Sequence, residues 1–84
     1  MKTIEKQMLK HQGEVADRLY ELRTRREITQ QALADMCDID RKTINRIENG
    51  HFSPNLNTLL RICVALNVAP SVIIPNPLVS KAGR

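Results

Sequence analysis

The 84 residues predict an all-α domain of five helices with a helix-turn-helix at its centre. Apolar residues recur at three- and four-residue intervals through most of the chain, the spacing that lines one face of a helix. Capping and stop residues, among them Thr29, Asp40, Asn49-Gly50 and Pro70, divide that pattern into short segments. Hydrophobic residues make up 42% of the sequence but aromatics only 2%, namely Tyr20 and Phe52, so the core is aliphatic, as suits a small helical domain. A chain of this length buries only about two thirds of its unfolded surface, which allows one modest core and one domain.

The first helix is best supported from Gly13 to Arg26, where Val15, Leu19 and Leu22 share a face. Ile4 and Met8 continue that phase toward the N-terminus, whereas Gly13 costs about 1 kcal/mol in a helix interior and Lys10-His11-Gln12 is wholly polar. Residues 1–12 are therefore either an arm or an extension of the helix. Thr29 caps a second helix, Gln30 to Cys37, with Leu33, Ala34 and Cys37 inward. Asp38 breaks it at a turn, where an aspartate tolerates a left-handed backbone. Asp40 caps the third helix, which buries Ile44 and Ile47 and is stopped by Asn49-Gly50.

After a polar loop, His51 to Pro54, the fourth helix starts at Asn55 or Leu56 and runs to about Leu66. Leu56, Leu59, Leu60, Cys63 and Leu66 are its expected apolar face, and Asn67 its terminator. Pro70 opens a short last helix holding Val72 and Ile73, and Pro75 and Pro77 prevent its continuation. The domain is thus expected over residues 13–74, with 75–84 a flexible tail. Nothing in this plan leaves room for a small-molecule effector domain.

Thirteen Lys and Arg against nine Asp and Glu give a net charge of +4, which favours an anionic partner. Residues 1–28 carry seven basic and five acidic side chains, 29–50 three and four, and 51–84 three and none, so there is no polybasic tail. Cys37 and Cys63 lie in apolar helical phase and read as reduced core residues. His11, Cys37, His51 and Cys63 lack the close spacing of a zinc site, so no metal or other cofactor is expected. No apolar run approaches a membrane span, and charge interrupts the N-terminus where a signal segment would be apolar; the expected compartment is the cytoplasm.

The informative object is the pair of short helices around Met36-Cys37-Asp38-Ile39-Asp40. So short a turn between two apolar-faced helices holds them at a steep angle and leaves the second with one polar face outward. A helix of that kind fits the DNA major groove, where base pairs show distinguishable donors and acceptors. Arg41 and Arg46 offer forked donors for guanine or phosphate, Asn45 a bidentate partner for adenine, and Lys42 a reach to guanine or backbone. The same residues would also make an ordinary solvated helix face.

From Leu19 to Pro70 the chain resembles the phage-repressor and Cro-like helix-turn-helix domains of the xre family. The matching text is Leu22-Arg23, Thr29-Gln30-Gln31-Ala32-Leu33-Ala34, Thr43-Ile44-Asn45-Arg46-Ile47-Glu48-Asn49-Gly50, Pro54-Asn55-Leu56-Asn57-Thr58-Leu59-Leu60 and Ala65-Leu66-Asn67-Val68. The resemblance implies a compact, lambda-repressor-like DNA-binding domain. It places Arg41, Lys42 and Asn45 at base edges, with Arg46 reading either a base or a phosphate, and Gln30, Asn49, Asn57 and Thr58 on the phosphate backbone, with Thr43 approaching that backbone or a thymine methyl and Gln30 also bracing the recognition helix. It pairs Arg23 with Glu48 in a partly buried salt bridge that orients the first helix against the third. Two departures stand out: Asp38 replaces the usual turn glycine, and about twelve residues precede the usual start.

The expected function is sequence-specific binding of double-stranded DNA by a homodimer at a palindromic operator, acting most simply as a transcriptional repressor. Val68, Val72, Ile73 and Ile74 are the candidate dimer interface, with core closure under the fourth helix the rival assignment for Val72 and Ile73. The resemblance also spans antitoxins that repress their own operon, which would add a toxin partner, and restriction-modification controllers. A protein-interaction module on the same fold is the alternative of a different class, disfavoured by the polar recognition face. An enzyme is disfavoured because no suggestive Cys-His or Ser-His pairing is visible and a domain this small offers little volume for a closed pocket.

Overall fold

A computed structural model describes residues 3–50 and 52–75. Five helices follow one another: α1 (Thr3–Arg25), α2 (Gln30–Cys37), α3 (Arg41–Glu48), α4 (Leu56–Leu66) and α5 (Pro70–Ile73). Helix α3 packs on α1 and α2, α4 on α2 and α5, and α5 also on α1. Leu19, Leu33, Ala34, Cys37, Ile44, Ile47, Ile62, Cys63, Leu66 and Ile73 form the buried centre of that arrangement. The residues of the expected tail beyond Pro75, and His51 of the loop, lie outside the described residues; Pro75 itself is buried.

Residues 3–12 are helical and continuous with the rest of α1. The helix passes through Gly13, and His11 Nδ1 lies 2.8 Å from Glu14 Oε1, a pairing that straddles the glycine. Gly13 also faces Gly50, whose virtual Cβ would stand 3.8 Å from the Gly13 Cα and from the Ala16 Cβ. Gly50 is required there for its backbone, with φ of 78°, rather than for space.

Three of the helix ends share one device. Glu27, Asp38 and Asn67 adopt left-handed backbone at φ of 57°, 56° and 55°. The next residue in each case turns its N–H back to the helix: Ile28 to the Arg23 carbonyl, Ile39 to Ala34 and Val68 to Cys63. This is the six-to-one bond of a Schellman end. Ile28, Ile39 and Val68 are all partly buried against the core, so each stop also delivers an apolar side chain inward. The N-termini are closed as expected: Thr29, Asp40 and Asn55 accept from the N–H groups of Ala32, Lys42 and Thr58.

Two expectations require correction. The inward face of α4 is Ile62, Cys63 and Leu66, with Leu59 partly buried, whereas Leu56 and Leu60 are exposed. The helix is apolar on more than one side, so periodicity alone did not fix which side turns inward. Ile73 has no accessible surface within its own chain. Its burial closes the core beneath α4 and α1, which removes it from the candidate dimer interface. Of the other candidates Val72 is exposed, and Val68 and Ile74 are partly buried.

Candidate nucleic-acid interface

The short α2–α3 turn and the caps at both its ends present α3 with Ile44 and Ile47 buried and Arg41, Lys42 and Arg46 exposed. The turn depends on Asp38. Its left-handed backbone directs the chain back toward the core, and Arg61 of α4 donates from Nη1 to the carbonyls of Cys37 and Asp38 at 3.2 and 3.4 Å. That arginine satisfies carbonyls the end of α2 would otherwise leave without helical donors. Arg26 similarly donates to the Leu66 carbonyl at the end of α4. Sequence spacing carries no signal for either contact, because the partners lie far apart along the chain.

Behind the exposed face runs a continuous polar network. Arg23 donates from Nε to Glu48 Oε2 at 2.7 Å and from Nη2 to Oε1 at 3.0 Å, a forked pairing of guanidinium and carboxylate. Its remaining Nη1 donates to the Ile28 carbonyl at 2.7 Å. The Glu48 side chain is only 3% exposed. Hydrogen bonding to that carboxylate, and then its charge, raise the Arg23 pKa above its ordinary value, against an opposing effect of burial. Gln30 donates to Glu48 Oε1 at 3.0 Å, Asn45 donates to the Gln30 carbonyl oxygen at 3.3 Å, and Asn49 donates to that of Asn45 at 3.0 Å.

The structure thus brings Arg23, Glu48, Gln30, Asn45 and Asn49 into one network and fixes how α2 meets α3. Asn45 keeps one amide hydrogen and one lone pair free for an outside partner. Arg41 and Lys42 stand on the first turn of α3, five and four residues ahead of Arg46, or roughly 6–8 Å along the axis. The Arg46 guanidinium lies 5.0 Å from the centre of the Phe52 ring, a cation–π contact that restrains the charge at the far end of the face. Phe52 was not among the expected site residues. Its signal in the sequence was an isolated aromatic in an otherwise polar loop.

The remaining expected phosphate contacts have separate settings. Thr43 is partly buried beside Ile44, and Thr58 partly buried on the first turn of α4. Asn57 accepts from Arg61 Nε at 2.7 Å, which joins it to the α2–α3 turn and leaves its amide hydrogens free. The ion pairs among the described residues engage His11, Arg23, Arg25 and Arg61, so Arg41, Lys42 and Arg46 keep their charge for an external partner.

Other chemistry finds little support in the described residues. Both cysteines are buried free thiols, and burial raises each thiol pKa, against a smaller lowering effect of the Arg61 charge at Cys37. No group of three or more His, Cys, Asp or Glu is placed to hold a metal among the described residues. None of the described helices is long and apolar enough to cross a membrane.

A short capped helix, buried on one side and carrying free cations and amides on the other, defines a DNA-binding regulator that works by a helix-turn-helix. The family model described as helix-turn-helix matches residues 19–73, and the chain belongs to that family, in its phage-repressor and Cro-like branch. No curated protein matches the chain. Among solved structures it is similar to the restriction-modification controller protein C.AhdI from Aeromonas hydrophila, with 28% identity, a TM-score of 0.72, and 75% of this chain and 96% of the other covered. An HTH_3 family transcriptional regulator from Vibrio cholerae matches at 26% identity and a TM-score of 0.75 over 79% of this chain. There the chain spans only 37% of the relative's length. A hypothetical transcription factor, NHTF, from Neisseria shares the fold at 22% identity and a TM-score of 0.73, covering 80% of this chain and 77% of its own.

Proposed function

We propose that the chain is a homodimeric repressor that reads a two-fold symmetric operator through α3. The observation that carries this reading is the exposed row of Arg41, Lys42 and Arg46, free of internal ion pairs, on a helix whose orientation is fixed from behind by the Arg23–Glu48–Gln30–Asn45–Asn49 network. Arg41 and Arg46 suit guanine or phosphate, Lys42 guanine or backbone, and Asn45 adenine through its free donor and acceptor. Gln30, Thr43, Asn49, Asn57 and Thr58 supply the uncharged donors that set register on the phosphates. One domain covers few base pairs, so two copies on half-sites about 34 Å apart supply the missing affinity and specificity. Repression by occupancy of a promoter needs no surface beyond these.

The test is selection of bound sequences from a randomised duplex pool at several salt concentrations. A two-fold symmetric site is expected, with retention lost in R41A, N45A and R46A; no enriched sequence from well-folded protein would sink the reading. One observation favours a more specific version. The similarity to C.AhdI covers 96% of that chain, which supports a controller role. That version expects the selected site to lie upstream of genes for a nuclease and a methyltransferase, and it fails if the site lies elsewhere.

A further inference from the structure

Helix α4 is apolar almost all the way round. Its sequence, LNTLLRICVAL, carries one charged residue, Arg61. Ile62, Cys63 and Leu66 are buried, yet on the outer side Leu56 is 70% exposed, Leu60 45% and Val64 79%. These three are spaced four apart and so form one row along the helix. Met36 of α2, 52% exposed, lines a shallow depression with Leu60 and Val64 and so continues the patch onto α2. A shallow depression lined by Leu60, Val64, Ala69 and Pro70 extends it in the other direction. Scattered apolar side chains on a surface carry no message, but a contiguous patch marks an interaction site.

We propose that a second copy of this chain docks on this patch, with the two α4 helices antiparallel across a two-fold axis at Leu60. The proposal rests on the homodimer reading above and names its surface. A row of three evenly spaced residues centred on Leu60 is self-complementary under such an axis: Leu56 of each copy meets Val64 of the partner subunit, as a two-fold interface requires. The charges agree with it. Asp38 Oδ2 and Arg61 Nη1 lie 3.7 Å apart beside the row, so each copy brings one charge of either sign, and apposing two copies adds no net charge at the contact.

The area fits a modest dimer. Helix α4 is roughly 16 Å long, and with Met36 and Pro70 the patch offers each copy on the order of several hundred Å², near the low end of specific interfaces. An association of that size is completed by DNA that holds both copies. Helix α3 carries none of the patch residues, so Arg41, Lys42 and Arg46 stay uncovered, whereas Asn57 lines one depression with Met36, Leu60 and Val64 and comes to lie at the rim of the contact.

A separate exposed apolar row, Ile4 and Met8 on α1, provides the comparison. Sedimentation equilibrium of the wild type, V64E and I4E, with circular dichroism to establish folding, tests the assignment. The wild type and I4E are expected to self-associate equally, and V64E to weaken dimerisation at least tenfold while remaining helical. In a second measurement L60C is expected to give a disulfide-linked dimer on mild oxidation, since a residue on the axis meets its own copy; Cys37 and Cys63 are buried and the wild type gives none. Dimerisation that survives V64E, or is lost in I4E instead, overturns the α4 assignment and leaves the homodimer reading intact. A wild type that stays monomeric and binds a two-site duplex one copy at a time removes the homodimer reading itself, and the interface with it.

Discussion

A carboxylate only accepts hydrogen bonds, and this orients the amides of Gln30, Asn45 and Asn49 in turn. Glu48 obliges Gln30 to present its NH₂ group; the Gln30 oxygen is then left for the NH₂ of Asn45, and the Asn45 oxygen for Asn49. Removing Glu48 therefore strands a buried guanidinium and releases the amide chain. E48A is expected to lose about 3–5 kcal/mol in urea denaturation, and R23A a comparable amount. The R23A/E48A double variant should lose less than the sum, because neither charge is then stranded. The sign of the pH effect follows from the raised Arg23 pKa: its contribution is fully present below the unfolded value and lost only as pH rises through the folded one, so the guanidinium adds no slope at neutral pH. The thiols give a second prediction. With both pKa values raised by burial, Cys37 and Cys63 should resist a thiol-reactive dye in the native protein and both react once it is unfolded; prompt native reaction would contradict their packing. The Arg23–Glu48 pair and the bracing role of Gln30 were legible through the resemblance. The places of Asn45 and Asn49 in the same network were not, since their polarity follows from which group bonds to which in space.

At the scale of elements, helix ends carry the specification. Thr29, Asp40 and Asn55 were legible as starts because their side chains have one well-defined job there. T29A is expected to cost about 1 kcal/mol of stability, read by thermal or urea unfolding. Asp38 and Asn67 were legible as stops because short polar residues tolerate positive φ. Glu27 was not, since a glutamate has no such preference; its left-handed backbone goes with the packing of Ile28 beside it against the core. At Asp38 the backbone requirement and the carboxylate separate cleanly. D38G is expected to be at least as stable as the wild type, because glycine adopts that backbone without strain and the exposed pair with Arg61 is worth only about 0–1 kcal/mol. D38V, with a branched side chain at φ of 56°, should lose at least about 1–2 kcal/mol and displace α3 from its angle. The inward face of α4 escaped the sequence for a different reason. A helix with apolar residues on both sides has no unique periodic answer, and only the position of α2 and α5 decides that Ile62 goes in and Leu60 stays out.

For the whole molecule, the consequence of burying so much structure behind α3 is a division of labour among the cations. Arg23, Arg26 and Arg61 are committed to carbonyls and carboxylates of the fold, and Arg18 reaches the Ser71 carbonyl at 3.4 Å. The net charge of +4 therefore says little about the strength of DNA binding. On the proposed function what counts is how many cations stand on the outer face of α3, and there Arg41, Lys42 and Arg46 are the three this structure leaves exposed. Each phosphate neutralised releases condensed counterions, so the logarithm of affinity falls with the logarithm of salt at a slope of about −0.9 per contact. A residue that touches phosphate and one that touches a base differ in this measurement. K42A should lower affinity for all sequences and reduce the slope by about one if Lys42 lies on the backbone, whereas an arginine reading guanine should relax preference at one base pair at a cost of about 1–3 kcal/mol. Arg46 is the informative case, because its contact with Phe52 holds it at the end of α3. F52L removes the ring without touching any charge. If Phe52 positions Arg46 for a base, F52L should reproduce the relaxed preference of R46A while the salt slope stays unchanged; if Arg46 serves the backbone, both variants should bind all sequences more weakly and only R46A should lower the slope.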